Sequence, residues 1–418
     1  MKDKLTFLPI LSFATLILGT AMAVFFAFAY WYIVNISQSS LYASYANIST
    51  DIIILLCLPF LGKLTDFYSK KHILFFLYLL GFLISIFALL LVIFEGFING
   101  LKSVIFIIFL VNLFTLIRTS DQLARTAYFK VKSNKVAYQK GNRILEGIRQ
   151  GITFISGGCA MLVINHNTNL ITIFSFLGAM FLFSMVIVIF LPVDLKDRKL
   201  DVNHVAVKPK VKFIKQIKRQ FYEFNEGFLI LKSKLNQFDL TILIISIFPY
   251  TFVVSLNVTY PAYFNLLSNN PIYYAALTIP YGLGALSASV FERKTNINFY
   301  FVFLKYSIIF LILLFIGFLY QSLISTYLIL FGLAYAHASI RIHRNTHLMN
   351  LISSEEIGRV LSFFEVIFTL GVIIFSLILG YVSDLYLAST SWAVLCILYL
   401  FILLSMCFFY RRSFFVNN

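Results

Sequence analysis

Four groups of side chains in this sequence could do chemistry. Asp51 stands inside the apolar run "NISTDIIILLCLPF". Counted inward from residue 41 at about 1.5 Å per residue it lies roughly 15 Å along a helix, near the middle of a bilayer. A carboxyl held away from water there can take up and release a proton near neutral pH, and the competing reading is a packing Asp hydrogen-bonded beside Ser49 and Thr50. Arg118, Asp121 and Arg125 follow one another at three- and four-residue steps, so they stack on one helical face. Arg118 is the deepest of them and always charged; it either balances Asp51 or another acid, or receives an anionic group of a small-molecule substrate. Arg143, Glu146, Arg149 and Gln150 form a mixed charged cluster just before Gly151, Gly157 and Gly158. The fourth group is His337, Arg341, His343 and His347, with Glu365 further on, placed to pair with Arg341. No carboxylate or Cys completes a metal set around the histidines, so they read as positive residues at a helix end, with His337 able to titrate. Glu146 and Glu365 stand after Asp51 as proton-coupling residues, and Arg149, Arg341 and Asn257 join Arg118 as cavity residues.

These groups need elements to hold them, and the composition decides which kind. Of 418 residues, 60% are hydrophobic and only 12% charged, which excludes an ordinary soluble globule. Apolar spans of bilayer length recur near 7–34, 41–62, 72–95, 103–128, 144–165, 169–191, 240–260, 271–291, 298–319, 322–342, 360–383 and 390–410. The expected fold class is an all-α membrane protein of twelve transmembrane helices in two six-helix halves, residues 1–191 and 240–418, joined by a linker at 192–239. The first span is too long and wrongly flanked for a cleavable signal. Lys and Arg gather in alternate loops, with Lys102 the single basic residue in the others, so both termini and the linker are expected on the cytoplasmic side of the plasma membrane. In that setting the net charge of +16 is a topology signal and implies no nucleic-acid partner. Cys57, Cys159, Cys396 and Cys407 all fall in apolar runs and read as packing residues.

The third, sixth, ninth and twelfth spans have at most Lys305 as an ionisable residue and are expected to face lipid; Tyr30, Trp31 and Tyr32 fit an interfacial anchor. Pro249, Asn257 and Pro261 in the seventh span, and Pro280, Gly282 and Gly284 in the eighth, suit bending or close packing. In the linker, Ile214, Ile217, Phe221, Phe224 and Phe228 recur at helical spacing among Lys212, Lys215, Lys218 and Arg219, which predicts a basic amphipathic helix lying on the inner leaflet.

Four stretches carry a resemblance. "GKLTDFYSKK", read as the loop after the second span, resembles the major facilitator signature Gly-x-x-x-Asp-Arg-x-x-Arg/Lys-Arg/Lys through Gly62, Asp66, Lys70 and Lys71, with Phe67 where that signature has Arg. "LIRTSDQLARTAYF" and "SSEEIGRVLSFFEVIFTLG", with Gly358, Arg359, Val360 and Ser362, are similar to segments of the macrolide-efflux and siderophore-exporter branch, as is "EGF" at Glu226, Gly227 and Phe228. The second half has only the short "FERKTN" in place of the loop signature. The glycines at 157 and 158 sit where the superfamily has its antiporter motif, without the usual Gly-Pro.

The resemblance implies a gating role for Gly62, Asp66, Lys70, Lys71, Gly358 and Arg359. It also implies alternating access around a site between the halves. The expected function is proton-coupled efflux of a small amphipathic drug or metabolite by a monomer that needs the lipid bilayer, protons and no cofactor. The alternative is export of a metallophore or peptide. No phosphate-binding loop suggests ATP hydrolysis, and no His-rich or paired-carboxylate constellation suggests a membrane-embedded enzyme.

Overall fold

A computed structural model describes residues 7–94, 100–132, 151–164, 169–193, 213–268, 270–292, 299–353 and 356–416, and among them it is helical throughout, with no strand. Helix α1 spans Leu8–Ser37, α2 Ser40–Phe67, α3 Lys70–Ile93, α4 Leu101–Lys132, α5 Gly151–Ile164 and α6 Leu170–Ile189. Then come α7, Phe213–Lys234, α8, Gln237–Ile245, and α9, Phe248–Ser255. After a 3-10 turn at Leu256–Val258 follow α10, Tyr260–Leu267, α11, Pro271–Ala275, and α12, Thr278–Phe291. The last four are α13, Phe299–Leu319, α14, Leu323–Leu351, α15, Ile357–Leu385, and α16, Thr390–Val416.

Among the described residues ten stretches are long and apolar enough to cross a membrane, and the described parts of α5 and α16 supply two shorter apolar helices. Each of the twelve expected spans therefore meets helix among the described residues. The seventh and eighth are interrupted, as α8–α9–3-10–α10 and α11–α12. Pro249, Pro261, Pro271 and Pro280 each lie in the first turns after a break, where a missing N–H costs nothing.

Two boundaries differ from the sequence reading. Helix α2 runs five residues past Gly62, so the expected loop shrinks to Tyr68 and Ser69. Gly62 does not turn the chain: the glycine with positive φ among the described residues is Gly100, after α3. Helix α14 continues to Leu351, which places Arg344 and His347 on the helix rather than in a loop.

The chain forms two compact units, Met1–Tyr32 with Ser49–Ile217, and Ile33–Ile48 with Lys218–Asn418. In the first, α3 seats on α6 because Gly81 lies under Phe181 and Gly178 against Ser85. Phe181 in turn stacks on Phe114 of α4, which holds Phe25 of α1 edge-on. The other face of α3, with Phe76, Leu83 and Phe87, is exposed, as a lipid-facing span requires. Trp31 is buried, so it packs inside the protein instead of anchoring at an interface.

In the second unit, Gly284 brings α12 against the backbone of α14 at Phe331, beside a core of Ala285, Ala288 and Ala338. Gly317 of α13 lies under the Trp392 ring of α16, and Tyr399 donates to Ser307 at 2.8 Å across the same pair. Helix starts are capped by Asn169 in one unit and by Asn236, Asn270 and the Ser322–Ser325 box in the other.

Helix α7 has the predicted period but a different seat. Phe224 and Phe228 stack on Phe363 of α15 at 5.0 and 5.7 Å, so the described part of its apolar stripe faces protein, not lipid. Gly227 makes this possible, since a Cβ there would come within 2.4 Å of the Arg359 carbonyl oxygen.

Candidate substrate and coupling site

In the first unit, α2 and α4 meet at Asn112, which accepts from Ser49 at 3.1 Å and Thr50 at 3.0 Å and donates back to Ser49 at 3.0 Å. Asp51 is the next residue and is partly exposed. The two hydroxyls read as partners for Asp51 thus turn to α4, and Asn112 is a residue the sequence reading missed. Arg118 lies six residues on, roughly 9 Å along the same helix. It is exposed, with its guanidinium carbon 5.6 Å from the Phe26 ring of α1.

The other two charges of that face behave differently. Asp121 is 1% exposed and is held by Arg125 and by the Tyr78 hydroxyl of α3 at 2.7 Å. A buried ion pair with a third donor is a structural tie between α3 and α4. Tyr78 was overlooked because α3 has no ionisable residue in its interior in the usual sense; its hydroxyl supplies the polar contact. Arg143, Glu146 and Arg149 lie outside the described residues. Gly151 and Gly158 of α5 meet nothing within 4 Å, so among the described residues they are not close-packing contacts.

In the second unit a stack of rings crosses four helices. Phe368 of α15 lies 4.7 Å from Tyr250 of α9, Tyr250 lies 5.1 Å from His337 of α14, and His337 lies 5.6 Å from Tyr281 of α12. Both ring nitrogens of His337 are buried without a hydrogen-bond partner, so the imidazole acts here as an aromatic plate. One turn along α14, the Arg341 guanidinium sits over Tyr250 at 5.3 Å, and Arg344 over Phe364 at 5.5 Å.

Glu365 is exposed on α15. The expected Glu365–Arg341 ion pair is absent among the described ion pairs. Guanidinium stacking on Tyr250 occupies Arg341 instead. Asn257 is exposed on the 3-10 turn.

His343 corrects a second expectation. A carboxylate does reach it: Glu292, from "FERKTN", lies 2.9 Å from its Nε2. The same carboxylate accepts from Tyr306 of α13 and from Tyr335 of α14 at 3.2 Å. Burial works against the charge of Glu292, but the hydrogen bonds from Tyr306 and His343, with Tyr335, hold its carboxyl below the usual range. His343 is buried, so it fastens α14 to the end of α12 rather than marking an exposed helix end. No group of three or more His, Cys, Asp and Glu side chains gathers among the described residues.

Of the motif residues, Gly62 and Asp66 lie on the last turns of α2, and Lys70 and Lys71 open α3. Lys71 donates to the Ile189 carbonyl at 2.7 Å, at the C-terminal end of α6. Gly358 and Arg359 open α15, where Arg359 bonds Glu226 of α7 at 2.9 Å. Glu356 accepts from Lys234 and, at 2.7 Å, from Ser353. The "EGF" and "GRV" segments, 133 residues apart in sequence, are thus one contact.

No family model matches the chain, and no curated protein is similar to it in sequence. Solved structures are similar to it over nearly its full length. A POT family transporter in complex with a thioalcohol-conjugated peptide matches with a TM-score of 0.69 at 11% identity, covering 97% of this chain and 96% of that one. A D-xylose-proton symporter matches with a TM-score of 0.64 at 13% identity, over 94% and 96%. The nucleoside transporter NupG matches with a TM-score of 0.62 at 14% identity, over 96% and 98%. At such identities the likeness is one of fold, and this chain shares the fold of these three transporters.

Proposed function

We propose that the chain is a secondary active transporter that exports a small amphipathic molecule across the plasma membrane in exchange for protons. The observation that carries this reading is the full-length match of its fold to three transporters. The placement of charge supports it: Asp51 and Arg118 stand partly or fully exposed inside apolar helices, where ionisable groups line wet pathways. In this reading Asp51 takes up the proton, with Glu146 and Glu365 next in line. Arg118, Arg149, Arg341 and Asn257 line the path of the substrate. The halves 1–191 and 240–418 alternate about it, with both termini in the cytoplasm and the linker helix following α15. The chain works as a monomer and binds no nucleic acid.

Arg341 and Arg344 favour a second reading, export of an anionic metallophore or peptide. They lie one turn apart on α14, and no acid pairs with either among the described residues. Transport into vesicles under an imposed pH gradient separates the cases. Uphill movement of amphipathic compounds that Asp51→Asn abolishes supports proton-coupled efflux, and full gradient-driven transport by that variant overturns the role of Asp51. Preference for anions that Arg341→Gln removes supports the second reading.

A further inference from the structure

Arg341 and Arg344 of α14 are half-buried cations in the second unit, and no acid lies within ion-pair distance of either among the described residues. Arg344 makes one hydrogen bond, from Nη1 to the Ser246 carbonyl, stretched to 3.5 Å, and its Nε is buried with no partner. Other charges of this unit are matched, Glu292 by His343 and Glu226 by Arg359. A cation drawn out of water and left unpaired is strongly unfavourable. Two of them one turn apart mark a place for an anion.

Both guanidiniums are held in position. Arg341 lies over the Tyr250 ring at 5.3 Å and Arg344 over the Phe364 ring at 5.5 Å. Stacking fixes each planar fork by its face and leaves the N–H groups of its edge to donate. Glu365 follows Phe364 on α15, so one carboxylate stands near the pair without bonding to it. Two cations and one carboxylate leave one positive charge, which a single negative charge on the guest balances. A polyanion would carry charge that nothing here offsets.

The rings set the shape of the guest. Phe368 is half-buried and ends the stack that runs through Tyr250 and His337. It lies nearly parallel to Tyr250, 4.7 Å away and inclined by 11°, and no second ring packs on it among the described residues. A flat ring laid on its other side lengthens the stack. Tyr250 joins the two features, since it touches both Arg341 and Phe368.

We infer that Arg341 and Arg344, with Tyr250 and Phe368, form a binding site for a flat aromatic ring bearing one carboxylate. The site lies wholly within the second unit. It rests on the transporter reading in one respect, that the molecule bound is the one carried.

The test measures binding to the full purified chain in detergent, with naphthoate as probe. Naphthoate binds and raises Tm, whereas naphthylmethylammonium, of the same shape and opposite charge, does neither. Naphthalenedicarboxylate and octanoate bind more weakly, the first for its second charge and the second for want of a ring. Arg341→Gln and Arg344→Gln each weaken naphthoate binding about tenfold or more, as the loss of a charge-assisted hydrogen bond requires. Phe368→Ala weakens naphthoate about threefold to tenfold and leaves octanoate unchanged. Arg344→Met removes a buried unpaired charge, so without ligand it melts no lower than the parent, and naphthoate no longer raises its Tm. Equal binding of naphthoate and naphthylmethylammonium, or naphthoate binding unchanged in folded Arg341→Gln and Arg344→Gln proteins, overturns the site. Octanoate binding as tightly as naphthoate overturns the ring. Binding is read without a gradient, so a chain that binds naphthoate but transports nothing keeps the site and loses the transporter reading. Uphill transport that Asp51→Asn abolishes, in a chain that does not bind naphthoate, loses the site and keeps that reading.

Discussion

Gly227→Ala sets two opposing effects against each other at the contact between α7 and α15. On an exposed helix, Ala in place of Gly gains about 1 kcal/mol from intrinsic propensity. Here the new methyl falls 2.4 Å from the Arg359 carbonyl oxygen and 3.0 Å from the Phe363 Cβ. The first of these is backbone and cannot rotate away, so α7 must retreat by about 1 Å, enough to forfeit a quarter to a half of each dispersion contact it makes. Its contacts include both stacked rings on Phe363. Overpacking of this kind costs about 1–3 kcal/mol, which outweighs the propensity gain. The Glu226–Arg359 pair, with both side chains substantially solvent-exposed, is worth under about 1 kcal/mol and cannot restore the seat. The expected outcome is a lower Tm together with faster amide exchange across Phe224–Lys234. Glu226→Gln, which breaks the ion pair but not the packing, lowers Tm by less. A Gly227→Ala protein that melts higher than the parent, with α7 exchange unchanged, would show that α7 behaves as a free surface helix and would refute the reasoning.

Across the α3–α6 contact, Gly81→Ala pushes a methyl to 2.2 Å from the Phe181 ring and destabilises by about 2 kcal/mol. Gly178→Ala finds the Ser85 Cβ at 3.5 Å and is neutral or stabilising by up to about 1 kcal/mol, so thermal melts of the two should move apart. Asp121→Ala strands Arg125 beside Tyr78 and costs about 3–5 kcal/mol, whereas Asp121→Ala with Arg125→Met recovers most of it; additive losses in that cycle would remove the ion pair as the cause. The Lys234 ammonium and the Ser353 hydroxyl hold the exposed Glu356 carboxyl below the usual Glu value. A lowered carboxylate stabilises above its unfolded pKa and ceases to do so as pH falls through the folded value. Exchange protection at the start of α15, corrected for the intrinsic pH dependence of amide exchange, should therefore be flat from pH 7 down to about 5 and fall in the acid range below Glu's ordinary pKa. A fall centred near pH 6 would point to a histidine instead.

The helices were legible because apolar runs of bilayer length have few alternatives, and each expected span meets helix among the described residues. Their ends were harder to read. Gly62 looks like a terminator, yet a glycine can sit inside a helix, and α2 passes through it. Charges were legible as charges but not as contacts. Asp121 and Glu292 bind tyrosine hydroxyls from neighbouring helices, and nothing in the spacing of Tyr78, Tyr306 or Tyr335 separates them from the other tyrosines of an aromatic-rich chain. Asn112 was missed for a related reason, since it bonds to a partner distant in sequence. The meeting of Glu226 with Arg359 brings together two segments that the sequence marks only as separate motifs. Arg341 was assigned to Glu365 by charge alone, and ring stacking on Tyr250 took precedence.

The prolines of the seventh and eighth spans have a mechanical consequence. Bending stiffness in a helix comes from its unbroken ladder of hydrogen bonds, and α1 to α4 keep theirs over runs of 24 to 32 residues. Between Gln237 and Phe291 no helical run exceeds the 14 residues of α12, and joints fall at Ser246–Ile247, Leu256–Thr259 and Ala276–Leu277. A load applied along this part of the chain is therefore taken up by rotation at three short joints and not by flexing of whole helices. The stiff members and the compliant ones are different segments of the sequence, so a distortion that begins at Asn257 can be absorbed within a few turns, while one that begins at Arg118 is carried undiminished along α4.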